Sequence, residues 1–189
     1  MKKLITEIRA CQVCLPDLVH GVNPVFSVHQ NNQIAIIGHA PGRKVHESSI
    51  PWDDKSGERL RSWLGVDNEL FYKSDLFAIL PMSFCYPGTG KTGDLAPRKE
   101  CAPLWHRSVL KNLTSLKLTL LIGNYSQSYY LGKLKKKSLT ETVKNYNSYL
   151  PEFLPLPHPS PRNNIWLKKN PWFELEVIPF LRSQVKEYL

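Results

Sequence analysis

The stretch QIAIIGHAPG, residues 33–42, places four consecutive apolar residues before a Gly-His-Ala-Pro-Gly turn. A short apolar run closed by glycine and proline suits a strand buried on both faces. LFAILPM (76–82) and LTLLIG (118–123) have the same character. EFLPLP (152–157), shorter and proline-terminated, reads as a fourth strand.

The intervening segments read as helices. LITEIRACQVC (4–14) forms a short helix running into two cysteines. GERLRSWLGV (57–66) puts Leu60, Trp63 and Leu64 on one helical face, with Gly65 as a stop. NYSQSYYL (124–131) starts at Asn124, a residue type suited to an N-cap. SLTETVKNY (138–146) carries the S-x-x-E capping box from Ser138 to Glu141. The last segment, 171–189, has proline in its first turn, and Pro179 predicts a kink or a break. Strands alternating with helices predict an α/β fold. The expected architecture is a three-layer αβα sandwich around a short, mainly parallel four-stranded sheet, in one domain over residues 1–189.

Composition narrows the function. With 42% hydrophobic and 22% charged residues, the chain reads as an ordinary soluble globular protein. It has no apolar run of membrane-spanning length, and Glu7 and Arg9 interrupt any signal-peptide core. The expectations are therefore no membrane association, a cytoplasmic location and a monomer. Twenty-five basic against sixteen acidic residues, net +9, call for an anionic partner, nucleic acid first. KLKKK (133–137) lacks interleaved aromatics and reads as a solvated loop.

Ligands of parallel sheets sit beyond the C-terminal strand ends. Three loops there are unusual: GHAPGRKVHESSIPW (38–52), PMSFCYPGTG (81–90) and PHPSPRNN (157–164). G-x-x-x-x-G-K-[ST] does not occur, which excludes that nucleotide-binding signature. The four cysteines, 11, 14, 85 and 101, begin with C-x2-C, and together they could complete one four-thiolate site. Four separate buried thiols are the alternative.

G-x-A-P-G after the first strand, an aromatic after proline in IPW, and H-P-S before the final helix resemble the uracil-DNA glycosylase superfamily. The placement of the cysteines resembles its iron-sulfur members, often called family 4. The HPSPRN form is closer to the superfamily's single-strand-selective branch. The resemblance implies excision of uracil or another deaminated base flipped out of single- or double-stranded DNA, as in base-excision repair. It also implies a [4Fe–4S] cluster on Cys11, Cys14, Cys85 and Cys101, with structural zinc as the runner-up.

By the same resemblance, Gly38, Ala40, Pro41 and Gly42 line the pocket and Trp52 stacks on the base. His158 donates to the base oxygen. Ser160, Pro161, Arg162 and Asn163 face phosphate, and Ile165 or Trp166 enters the vacated stack. Trp166 could instead anchor the final helix. Two departures stand out. Pro81 occupies the position of the asparagine that reads the uracil edge, leaving Ser83, a main-chain group or a different base. His39 follows the motif glycine where family 4 has glutamate, and Ala40 replaces an aspartate that activates water in other branches. His39 is then the candidate for orienting water, with His46, Glu47, Asp53 and Asp54 as alternatives; Asp54 or Ser56 could be only a helix cap. A catalytically silent or altered-specificity DNA-binding member of the fold is the alternative function.

Overall fold

The computed structural model describes residues 1–189 except Ser74 and Thr92. Helix α1 (Lys2–Arg9) precedes strand β1 (Ile34–Ile37). Helices α2 (Arg43–Ser48), α3 (Lys55–Leu64) and α4 (Asn68–Lys73) lead to β2 (Phe77–Ile79). A small hairpin, β3 (Thr89–Gly90) and β4 (Gly93–Asp94), is followed by α5 (Cys101–Lys111) and β5 (Leu118–Ile122). Helices α6 (Asn124–Leu131) and α7 (Leu139–Lys144) precede β6 (Phe153–Leu156). Helices α8 (Asn164–Lys169) and α9 (Ile178–Glu187) complete the chain.

The four main strands are parallel in the order β2-β1-β5-β6, the expected short sheet between helical layers. Strand residues 34, 36, 118, 120, 122, 154 and 156 face one core, shared with Leu60, Trp63 and Leu64 of α3 and Leu181 of α9. Ile37 and Leu121 face the other, with Ile8, Phe84, Val109 and Leu131. Burial on both faces is why these strands lack polar alternation. Pro155 sits within β6, where a missing N–H is tolerated because the strand is an edge. On the other edge, Ser27 exchanges backbone hydrogen bonds with Ile79 and covers β2.

Local signals held where their side chains act locally. Gly65 ends α3 at φ +71, and Ser138 and Glu141 form both halves of the capping box. Asn124, however, is not the cap of α6. Gly123 occupies that position at φ +84, and the Asn124 amide oxygen accepts from Lys135 Nζ. Pro179 does not break the last helix. It lies in the first turn of α9 immediately after a π-helical segment, Phe173–Val177, whose wider turn accommodates the missing donor.

Candidate active site

The sheet's order reverses direction between β1 and β5, and a cavity of about 400 Å³ opens beyond the strand ends there. The loop after β1 supplies Gly38, His39, Ala40, Pro41 and Gly42 to its wall, the approach to α3 supplies Trp52 and Asp54, and the first turn of α3 supplies Ser56. Pro81 comes from beyond β2, Asp94 from β4, and His158, Ser160, Arg162 and Asn163 from the loop after β6. Three loops distant in sequence therefore converge on one concavity.

Trp52 is fixed by backbone rather than by side-chain bonds. Its φ of +58 is a costly conformation for an aromatic residue. Gly57 permits it: a Cβ there would lie 1.8 Å from the Trp52 carbonyl oxygen. Gly38 permits the ring to lie flat on the loop, since a Cβ would come within 2.7 Å of Trp52 Cζ2. Arg61 Nη1 donates to the Trp52 carbonyl at 3.2 Å. The indole faces His158 with ring centroids 5.7 Å apart.

The tautomer of His158 follows from its loop. Its Nδ1 accepts from the Ser160 N–H at 3.2 Å, so the proton resides on Nε2 and leaves a donor on a cavity-lining side chain. Burial pulls its pKa down to about 4, with a smaller contribution from repulsion by His39. The imidazole is neutral at pH 7. Asn163 Nδ2 donates to the His158 carbonyl at 2.7 Å, and Arg59 Nη1 donates to the Ser160 carbonyl at 3.2 Å. Ser160 Oγ accepts from the Arg162 N–H and caps the short turn Pro161–Asn163. Pro161 starts that turn and is not on the cavity wall.

His39 packs edge-on against Tyr125, centroids 5.1 Å apart. Burial lowers its pKa, and the Asp94 carboxylate opposes that shift. Of the four alternatives for handling water, only Asp54 is on the wall, and its Oδ1 caps α3 by accepting from the Gly57 N–H at 2.8 Å. Asp53 pairs with Lys44 at 3.6 Å and Glu47 with Arg43 at 3.2 Å. His46 packs beside Tyr86 and His20. Asp94 escaped sequence reasoning, because nothing local to GKTGD shows that its carboxylate reaches the cavity wall.

Ser83 does not join the wall. It is buried, and its Oγ donates to the Cys85 carbonyl at 3.0 Å. Pro81 is on the wall, but its carbonyl accepts from His106 Nε2 at 3.1 Å. Since that carbonyl can only accept, His106 Nδ1 accepts a hydrogen bond from the Tyr130 hydroxyl at 2.7 Å, and this network pins the β2 loop. Trp166 donates from Nε1 to Thr140 Oγ1 at 2.8 Å and packs against Trp172 and Phe173. It anchors the segment before α9, while Ile165 is exposed.

Cys11, Cys14, Cys85 and Cys101 line a second, small cavity together with Ile8, Leu18, Phe84 and Trp105. Burial is the main reason the Cys85 thiol is pushed up to about 11 and Cys101 to about 12. Cys14 is raised for the same reason, partly offset by Arg98. Cys101 Sγ accepts from the Phe84 N–H at 3.4 Å. Trp105 Nε1, buried beside the thiols, has no hydrogen-bond partner among the described residues. Also among the described residues, no group of three or more His, Cys, Asp or Glu stands ready to hold a single metal ion.

A cavity at the sheet's switch point, walled by a clamped tryptophan and a neutral histidine, is a ligand pocket of the kind α/β folds place there. The family model for the uracil DNA glycosylase superfamily matches residues 26–182. The chain belongs to that superfamily. The match includes Cys85 and Cys101 and leaves Cys11 and Cys14 outside it. No helix among the described residues is long and apolar enough to cross a membrane.

Proposed function

We propose that this protein is a monofunctional DNA glycosylase that hydrolyses the N-glycosidic bond of uracil or another deaminated base flipped out of DNA. The observation that carries this reading is the His158 tautomer: a neutral imidazole with its proton on Nε2, lining the cavity opposite Trp52. As the bond breaks, the electron pair passes to the base, and negative charge grows on its carbonyl oxygen. A fixed N–H donor stabilises that charge. Trp52 offers a stacking face, worth about 1–3 kcal/mol per base. Arg162 and the net charge of +9 supply attraction for phosphate, which rising salt weakens.

Pro81 favours a specificity other than the usual uracil edge-reading, because it offers no side-chain hydrogen bond and its carbonyl is already used. The test is therefore a panel of single- and double-stranded oligonucleotides containing uracil, hypoxanthine or xanthine, assayed for abasic sites. Cleavage of at least one is expected. Tight, salt-dependent binding with no product from any of them would replace this reading with that of a silent DNA-binding member.

The thiolate-only donor set and the unpartnered Trp105 N–H suit an iron-sulfur group. Cys11, Cys14, Cys85 and Cys101 would hold a [4Fe–4S] cluster, whose contribution is to cross-link the N-terminal segment to the β2 loop and α5. Anaerobically purified protein should absorb near 400 nm (about) and contain iron and sulfide. Colourless protein with one zinc per chain would favour the runner-up.

A further inference from the structure

We propose that the Asp94 carboxylate orients and deprotonates the attacking water, an assignment that rests on the glycosylase reading above. Departure of the base leaves a cationic sugar. The water that adds to it must lose a proton, so an acceptor is needed at the cavity. Among the described wall residues there are two carboxylates, Asp54 and Asp94. Asp54 holds its Oδ1 on the Gly57 N–H as the cap of α3, which fixes its carboxylate to the helix end. Asp94 is exposed at the mouth, where it keeps access to water, and it lies against the glycine loop: a Cβ at Gly42 would be 3.4 Å from its Oδ2. Its negative charge also acts on His39, across the same wall.

The hairpin carrying Asp94 is held from two sides. The Leu95 N–H donates to the Gly88 carbonyl at 2.8 Å, and the Tyr86 hydroxyl bonds Thr89 Oγ1 at the hairpin's base. On the other side, the Arg162 guanidinium packs directly on Gly93, where a Cβ would be 1.9 Å from Nη1. Glycine at φ +137 allows this approach, so the hairpin and the His158 loop close on each other. One contact thus couples the residue beside the leaving base to the residue beside the water.

The step balances simply. The C1′–N bond breaks and its electron pair leaves with the base. A lone pair on water forms the new C1′–O bond, and one water proton passes to the Asp94 carboxylate and then to solvent. The base anion, held by His158, takes up a proton, giving free base and an abasic sugar.

The experiment compares full-length, cluster-loaded wild type with Asp94→Asn and Asp94→Ala under single-turnover conditions, using the oligonucleotide wild type cleaves best. Loss of a general base lowers the rate by about 10²-fold or more, while DNA affinity stays within about twofold. Added formate is expected to restore part of the Asp94→Ala rate and to leave wild type unchanged. Wild-type rates in both variants, affinity that falls in step with rate, or no formate rescue would each overturn the assignment. A wild type that releases no base from any oligonucleotide removes the glycosylase reading and this assignment together. Active wild type beside unaffected variants removes the assignment alone.

Discussion

Replacing Gly57 with alanine tests whether the clamp on Trp52 matters to catalysis. The new Cβ would lie 1.8 Å from the Trp52 carbonyl oxygen and 2.8 Å from its Cβ. Ordinary contacts of about 3.5 Å then require a shift of about 1.7 Å. The carbonyl cannot swing away freely. It accepts from Arg61 Nη1, which also donates to the Tyr72 hydroxyl at 3.1 Å, and that hydroxyl donates to the Pro51 carbonyl at 2.9 Å. The shift therefore passes to the indole and carries it off Gly38. Overpacking of this kind costs about 1–3 kcal/mol, and a displacement of about 1 Å in a reacting assembly costs about 10²-fold in rate. Single-turnover excision and the thermal midpoint, measured on the same preparation, should show both losses. A variant that cleaves within twofold of wild type at an unchanged midpoint would refute the clamp.

Changing His158 to alanine removes the Nε2 donor and should slow excision by about 10²–10³-fold. With a pKa near 4, His158 is neutral throughout pH 6–8, so its ionisation should leave the rate flat there; a tenfold fall per pH unit across that range would indicate a required imidazolium. His106 predicts the acid stability. Burial lowers its pKa from 6.5 to about 4, so the unfolded chain binds the proton more readily. The contribution of His106 is full above pH 6.5 and falls as pH drops toward 4, by about 3 kcal/mol. Buried His158 adds a fall of the same sign, so in urea unfolding at pH 7 and pH 4 His106→Gln should shrink the difference by about 3 kcal/mol rather than remove it. On the proposed cluster ligation, Cys101→Ser should reduce iron content and the thermal midpoint together; iron content equal to wild type would remove that ligand.

The sheet was legible because strands buried on both faces cannot alternate, and IAII and LTLLI show that directly. Caps were legible where the bond is local, as at Ser138, and misleading at Asn124, where a neighbouring glycine supplies the turn and Lys135 takes the amide. Helix α5 was hidden: CAPLWHRSVLK opens on a cysteine and a proline, and its register is set by packing beneath the thiols and Pro81. In the pocket, Gly38, Trp52 and His158 were found through motif resemblance. Ser83 was one substitute considered for the asparagine that Pro81 replaces, but the chain turns between Pro81 and Cys85 and carries it to the cysteine side. Asp94 could not have been read, because its position depends on the Gly93–Arg162 contact between segments nearly seventy residues apart.

The most direct test of the central claim is detection of the released base itself. Cluster-loaded protein is incubated with oligonucleotides carrying each deaminated base, and free base is quantified by mass spectrometry alongside abasic sites. Equal amounts of free base and abasic site are expected from at least one oligonucleotide, with both lost in His158→Ala. DNA that remains intact at saturating enzyme, for every base offered, would contradict it.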